Sequence, residues 1–250
     1  MQIELIGCTC AGKTTMARDM VEAGRQQGLD VYMAEDFVLA QVRLAWINNH
    51  FLRKLLFNLS GLFASAVSWR KNRNLYVFAT KILLQLPISQ LERMNLLRNV
   101  FKKLGISEIV RARSEGRQII LLDEGVLHVA HNLFVHVTTE PKLDVIPTFV
   151  SLLSLPDVIL YVQQPESTLI ERIIARGHTR IPNPSPENVA SFVRRAVTTF
   201  NKLMQEPAVM NRLVILDGVE QVIIVARQGN DRASGSAQGI IQPLEPQYVA

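Results

Sequence analysis

Eight consecutive residues, Gly7-Cys8-Thr9-Cys10-Ala11-Gly12-Lys13-Thr14, have the types and spacing to bind a triphosphate. They fit the pattern G-x-x-x-x-G-K-[ST] without a gap. Glycine lets the backbone approach an anion closely, and successive N–H groups can then converge on phosphate oxygens. In such a loop Lys13 reaches the β- and γ-phosphates and the Thr14 hydroxyl is a ligand for Mg2+. Thr15 carries the loop into a helix, whose N-terminus adds further N–H groups and a favourable dipole. The cofactors expected are therefore ATP and Mg2+.

Three further groups can complete a phosphoryl-transfer site. Asp123 ends the apolar run Ile119-Ile120-Leu121-Leu122, where a carboxylate holds the metal directly or through water. Glu35 and Asp36 follow the apolar stretch from Val31 to Ala34. Either can take the proton from a substrate hydroxyl, although Asp36 can equally cap the helix that follows. Arg172 and Arg176 share a helix face four residues apart, and Arg180 follows a glycine on what reads as a mobile loop. Arginines closing over a nucleotide stabilise charge developing on the transferred group, and a solvated basic helix face is the plainer alternative. His128, His131 and His136 lack neighbouring carboxylates or cysteines at ligand spacing, so a metal site there is disfavoured.

These residues must be positioned by an alternation of strands and helices. Strands are expected at Ile3–Ile6, Val31–Ala34, Gln118–Leu122, Asp157–Val162 and Leu213–Leu216, and the first helix at Thr15–Gln27. Short, mostly apolar strands alternating with helices read as a parallel sheet covered on both faces. The expected fold class is α/β, a P-loop NTPase three-layer fold with a five-stranded parallel sheet. Residues 37–115 are too long for a plain crossover and read as a helical insertion between the second and third strands, broken near Gly61, Pro87 and Gly105. A second helical stretch, 126–155, reads as broken by Pro141 and Pro147. Residues 1–228 form the expected domain. Residues 229–250, rich in Gly, Ser, Gln and Pro, read as a disordered tail.

The 250 residues are 48% hydrophobic, enough for a sizeable core. Both cysteines lie inside the loop, which argues against a disulfide framework and for a reducing compartment. A signal peptide is not expected, because Glu4 and the loop follow the start directly, and no apolar run reaches 18 residues. A cytoplasmic protein is the expectation. Charge is uneven: Arg53 to Arg113 holds twelve Lys/Arg and two Asp/Glu, a net of +10 in a chain of net +5. Such a patch suits a polyanionic partner or is simply a solvated face. The apolar stretch Leu55–Trp69, preceded by Arg53-Lys54 and followed by Arg70, Lys71 and Arg73, reads first as a buried helix of the insertion. The alternative is peripheral membrane contact through residues 51–73.

The phosphate loop, the acidic end of the third strand, the segment Val158–Val162 leading to Glu171-Arg172 and Arg176, and Ile215-Leu216-Asp217-Gly218 together resemble the P-loop nucleoside and nucleotide kinases, especially the thymidylate kinase and deoxynucleoside kinase group. The resemblance covers about residues 1–34, 117–125 and 157–228. It implies that the arginine segment is a lid over the phosphates and that Asp217, Gly218 and Val219 lie beside the adenine. It also implies a loop of Gly7, Cys8, Thr9, Cys10, Ala11, Gly12, Lys13, Thr14 and Thr15 around ATP. This chain departs from that group where the acceptor would bind. Asp123-Glu124-Gly125 stands in place of an acid-Arg pair, and Glu35-Asp36-Phe37 in place of Glu-Pro.

The reading that follows is an ATP-dependent kinase acting on a nucleoside, a nucleotide or another, anionic, alcohol. A nucleotide-dependent regulatory ATPase or switch, binding a partner or membrane through the basic insertion, is the alternative. A GTPase version would need an N-K-x-D motif, which is missing. No specific nucleic-acid partner is expected, because no aromatic-basic recognition signature occurs. A small-molecule acceptor is the expected partner, and a homodimer stays open.

Overall fold

Side chains on both parities of the strands are apolar, as a sheet covered on two faces requires. Ile3, Leu5, Ile119, Leu121 and Leu160 pack into one cluster, whereas Ile6, Ile120, Leu122, Ile159 and Tyr161 pack into clusters on the opposite side. Gln2 and Glu4 are the exceptions within this pattern, both buried in the central strand, Glu4 fully. The structure, a computed structural model, describes residues 1–116, 118–178, 180, 181 and 185–215.

Five strands, β1 (Gln2–Ile6), β2 (Val31–Met33), β3 (Ile119–Leu122), β4 (Val158–Tyr161) and β5 (Leu213–Ile215), form one parallel sheet in the order β2-β3-β1-β4-β5. All five expected strands are present, with ends within a residue or two. β1 is central: the chain lays β2 and β3 on one side of it and then crosses to lay β4 and β5 on the other. The crevice beyond its carboxyl end is thus a topological switch point, the usual ligand position in open α/β sheets.

Helix α1 (Lys13–Gln26) leaves the loop directly, and its N-cap, Gly12, has a φ of 95° that favours glycine. Residues 34–113 between β2 and β3 form α2 (Ala34–Gln41), α3 (His50–Val67), α4 (Trp69–Leu84) and α5 (Gln90–Arg113). The remainder comprises α6 (Val129–Phe134), α7 (Ile146–Ser151), α8 (Glu166–Arg176), α9 (Pro186–Met204) and α10 (Pro207–Met210). Ser89 and Ser185 cap α5 and α9 by accepting from the N–H groups of Glu92 and Asn188.

Three expectations for the helices change. Pro87 does separate helices, but Gly61 and Gly105 lie inside α3 and α5. They are contact points between helices rather than breaks. A Cβ on Gly105 would sit 1.8 Å from the Gly61 carbonyl oxygen, so only glycine admits so close an approach. Pro147 stands in the first turn of α7, where its missing N–H costs nothing, and so begins a helix instead of ending one.

The stretch read as a buried helix is also different. Only Gly61 and Ser65 of α3 are fully buried; Leu56, Phe57 and Leu62 are half-buried, and Phe51, Leu52, Leu55, Leu59, Phe63 and Val67 are exposed.

Candidate active site

The phosphate loop leaves β1 between the ends of β3 and β4. Gly7 (φ 142°) passes so close to β4 that a Cβ would lie 2.6 Å from the Val162 carbonyl oxygen. Cys8 and Ala11 bury their small side chains in the core beneath α1. Burial pushes the Cys8 thiol up to about 12, so it stays protonated and neutral. Cys10, at φ 65°, supplies the second left-handed turn of the loop. The two thiols are free.

Lys13 is buried, and its ammonium donates to the Gly7 and Cys8 carbonyl oxygens at 3.0 and 2.8 Å. Burial lowers its pKa, while Glu124 and Asp123 act in the opposite sense. The Thr14 hydroxyl donates to Asp123 Oδ2 at 2.9 Å. This bond brings together the hydroxyl on α1 and the carboxylate beyond β3, two hard oxygen donors of the kind Mg2+ prefers. The residues present therefore fit a magnesium nucleotide. The loop has the glycine cradle, a buried cation at its centre, and oxygen ligands at its rim.

Glu124 marks the sign of the field here. Its half-exposed carboxylate lies 3.1 Å from Lys103 Nζ, and its pKa is held down to about 2, chiefly by Lys103 and then by Lys13 and Lys102. Lys102-Lys103 reads in the sequence as part of a solvated basic face. In the fold Lys103 is buried and also donates to Asn132 Oδ1 at 3.3 Å. Three ammonium groups thus approach the end of β3 from two helices, a concentration of positive charge suited to a polyanion.

Glu35 and Asp36 lie in the first turn of α2, and neither caps it, since Met33 occupies the N-cap. Both carboxylates meet Arg53 of α3. Asp36 accepts a short hydrogen bond from Nη2, and Glu35 Oε1 lies 3.4 Å from Nε. Arg53 also donates to the Ile47 carbonyl. An acid–Arg cluster is thus assembled across two elements, α2 and α3. Arg53 turns inward and is not a flanking charge of the exposed α3 face.

The expected lid arginines divide. Arg172 Nη1 donates to the Cys10 carbonyl at 3.2 Å, directly on the loop, and Arg176 is exposed at the end of α8. Arg180 turns toward α6. It donates to the carbonyl oxygens of His131 and Val135 and to ring nitrogens of His131 and His136. Burial lowers its pKa to about 10, so it remains charged near neutrality.

The histidines act as neutral acceptors and packing groups. His128 and His131 stack with centroids 5.2 Å apart, and burial lowers both pKa values well below the usual range. The approach of His128 to Glu124 is accordingly a contact of a neutral imidazole rather than an ion pair. With Nδ1 of His131 accepting from Arg180, its Nε2–H is left to donate to Thr9 Oγ1 at 3.3 Å. Among the described residues, no group of three His, Cys, Asp or Glu is arranged to hold a metal ion.

Glu4 completes the frame beneath the site. Its Oε1 accepts from the His128 N–H at 3.0 Å, burial raises its pKa to about 7, and a Cβ on Gly125 would lie 2.5 Å from its carboxyl group. An acid inside the run Ile3–Ile6 was the sequence signal for it. Asp217, Gly218 and Val219 lie outside the described residues.

The strand order and the loop together define a P-loop α/β protein. No protein-family model and no curated protein sequence matches the chain. Two solved structures of deoxyadenosine kinase from M. mycoides are similar in backbone. One, with dCMP and a flexible dCDP bound, aligns over 93% of this chain and 100% of its own at 14% identity and a TM-score of 0.43. The other, with bound dATP, aligns over 91% and 98% at 16% identity and a TM-score of 0.42.

Proposed function

We propose that this protein is an ATP-dependent kinase that transfers the γ-phosphoryl group to the hydroxyl of a small, anionic acceptor, such as a nucleotide or another phosphorylated alcohol. One observation carries the reading. The phosphate loop, the Thr14–Asp123 pair, the lysines around Glu124 and the Arg53-linked acids all lie on the elements at or beside the carboxyl edge of the sheet.

Magnesium, when bound with ATP, would neutralise charge on the phosphates and hold them in line for displacement. Thr14 and Asp123 would be its protein ligands. Lys13 would exchange its two loop carbonyls for phosphate oxygens, an exchange favoured by the stronger charge-assisted contact. Loop N–H groups from Thr9 to Thr14 would bind the remaining oxygens. Arg172 stands over Cys10 and would cover the phosphates from α8, with Arg176 exposed at the end of the same helix, whereas Arg180 would have to leave its α6 partners to join them. Glu35 or Asp36 would accept the hydroxyl proton as the new P–O bond forms and ADP leaves. Arg53 holds both carboxylates in place for that step. Lys102 and Lys103 supply the field that favours an acceptor already carrying negative charge.

The test is ADP release from ATP and Mg2+, alone and against a panel of nucleosides, nucleotides and phosphorylated alcohols, beside Lys13→Ala. Strong stimulation by one anionic acceptor, lost in Lys13→Ala, is expected. Stimulation only by neutral nucleosides would overturn the anionic acceptor, and failure to bind ATP would overturn the whole reading.

A further inference from the structure

Helix α3 is built inside out. Its buried residues are the small ones, Gly61 and Ser65, which lie against α5 at the Gly61–Gly105 crossing. At about 100° per residue, Leu52, Leu55, Leu59, Phe63 and Val67 fall on the opposite face, and all five are exposed, Phe63 and Val67 each to 73%. No crossing of a bilayer is implied, because no helix among the described residues is long and apolar enough. At about 1.5 Å per residue the face from Leu52 to Val67 runs for about 23 Å, most of the helix. Tryptophans stand at both ends. Trp46 precedes the helix and is 74% exposed, and Trp69 follows it.

Charge decides what covers this face. Residues 37–91 contain seven Lys/Arg (Arg43, Arg53, Lys54, Arg70, Lys71, Arg73 and Lys81) and no Asp or Glu. Arg53 is engaged by Glu35 and Asp36, and Lys71 by Glu108. Lys54, Arg70 and Arg73 have no acidic partner within ion-pair distance among the described residues. A second copy docked symmetrically through the same face would set like charges against each other. An anionic lipid surface complements both properties: acyl chains take the leucines and phenylalanine, headgroups take the basic side chains, and tryptophans lie at the boundary.

We propose that the outer face of α3, with the exposed Arg70 and Arg73 just beyond its C-terminal end, attaches the protein peripherally to an anionic membrane. The proposal does not depend on the kinase reading.

Flotation of the full chain tests it. Phosphatidylcholine vesicles with about one part in three phosphatidylglycerol should bind about tenfold more protein than phosphatidylcholine alone. Leu59→Glu/Phe63→Glu should abolish flotation. Arg70→Glu/Arg73→Glu should remove the preference for anionic vesicles, and added salt should weaken it. Both variants change exposed residues, and unchanged circular dichroism and ATP binding would show that the fold is kept. Failure of the wild type to float on anionic vesicles overturns the proposal. So does a wild-type dimer that Leu59→Glu/Phe63→Glu dissociates, since a second copy would then cover the face. Equal flotation of wild type and both variants overturns it as well.

Discussion

The phosphate loop and the helical insertion solve opposite packing problems. In the loop, Gly7 lets the backbone pass against the Val162 carbonyl of β4 and Gly12 makes the left-handed turn into α1, and the result is an inward-facing site with a buried lysine. In the insertion, glycines bring together helices more than forty residues apart in the chain. The result is an outward-facing apolar surface on α3. The same residue type therefore concentrates chemistry in one region and frees large side chains for solvent in the other. Both close approaches are to distant residues, Gly7 to Val162 and Gly105 to Gly61; what differs is whether the glycine's neighbours in the chain share its task. In the loop Gly7, Gly12, Lys13 and Thr14 act together and leave a contiguous motif, whereas a helix-crossing glycine stands alone and looks like a helix break.

The comparison can be broken at its strongest point first. Lys13→Ala should reduce acceptor-dependent ADP release on the order of 10³-fold while leaving the thermal midpoint near that of the wild type, since it removes a charge aimed at the transferring group. A parallel loss of stability would mean that Lys13 mainly ties the loop together. On the insertion side, Gly105→Ala should cost about 3 kcal/mol of stability in denaturant unfolding, because the methyl group has no room against Gly61. Unchanged stability would remove the close α3–α5 crossing.

Glu4 sharpens the contrast from beneath the site. Its folded pKa of about 7 lies above the ordinary carboxylate value, so the folded chain holds a proton that the unfolded chain releases. Stability from this group is present below about pH 4.5 and declines as pH rises through 7. Glu4→Gln keeps an acceptor for the His128 N–H without the charge. It should be more stable than wild type at pH 8 by roughly 2–3 kcal/mol and nearly equal to it at pH 4.5. The buried histidines act oppositely. Their folded pKa values lie below the unfolded value, so their contribution is lost as pH falls below about 6.5 in wild type and Glu4→Gln alike. Thermal midpoints across pH 4–9 separate the two effects.

Smaller effects divide the acids and the lid. Of Asp36→Asn and Glu35→Gln, the one that removes the base should lower kcat about 10²-fold, with the acid limb of the kcat profile removed, while the other changes it less than about tenfold. Equal small losses would leave both as supports for Arg53. Arg172→Ala should raise the KM for ATP by about tenfold with little change in the thermal midpoint, since the side chain is exposed and makes one bond to the loop.

Much of the sheet and half of the site were legible in the residues. Strand positions follow from short apolar runs, and Lys13, Thr14 and Asp123 from a motif and a strand end. Lys103, Arg53, His131 and Glu4 were not assigned to the site. Lys103 looks like half of a surface Lys-Lys pair until α5 turns it toward β3, and Arg53 looks like a flank of an apolar stretch until α3 swings it over α2. Arg180 was read as a loop residue beyond a glycine, yet α6 takes most of its donors.

The sequence by itself determined where backbone N–H groups converge on a phosphate, because a loop of eight residues carries its own geometry in its glycines. It also determined that five apolar strands would be buried, since nothing else satisfies so much apolar surface. Only the tertiary structure decided which charges meet and which apolar face is left open. Those outcomes depend on how α2, α3 and α5 cross, and a crossing is set by the fit of side chains far apart in the chain.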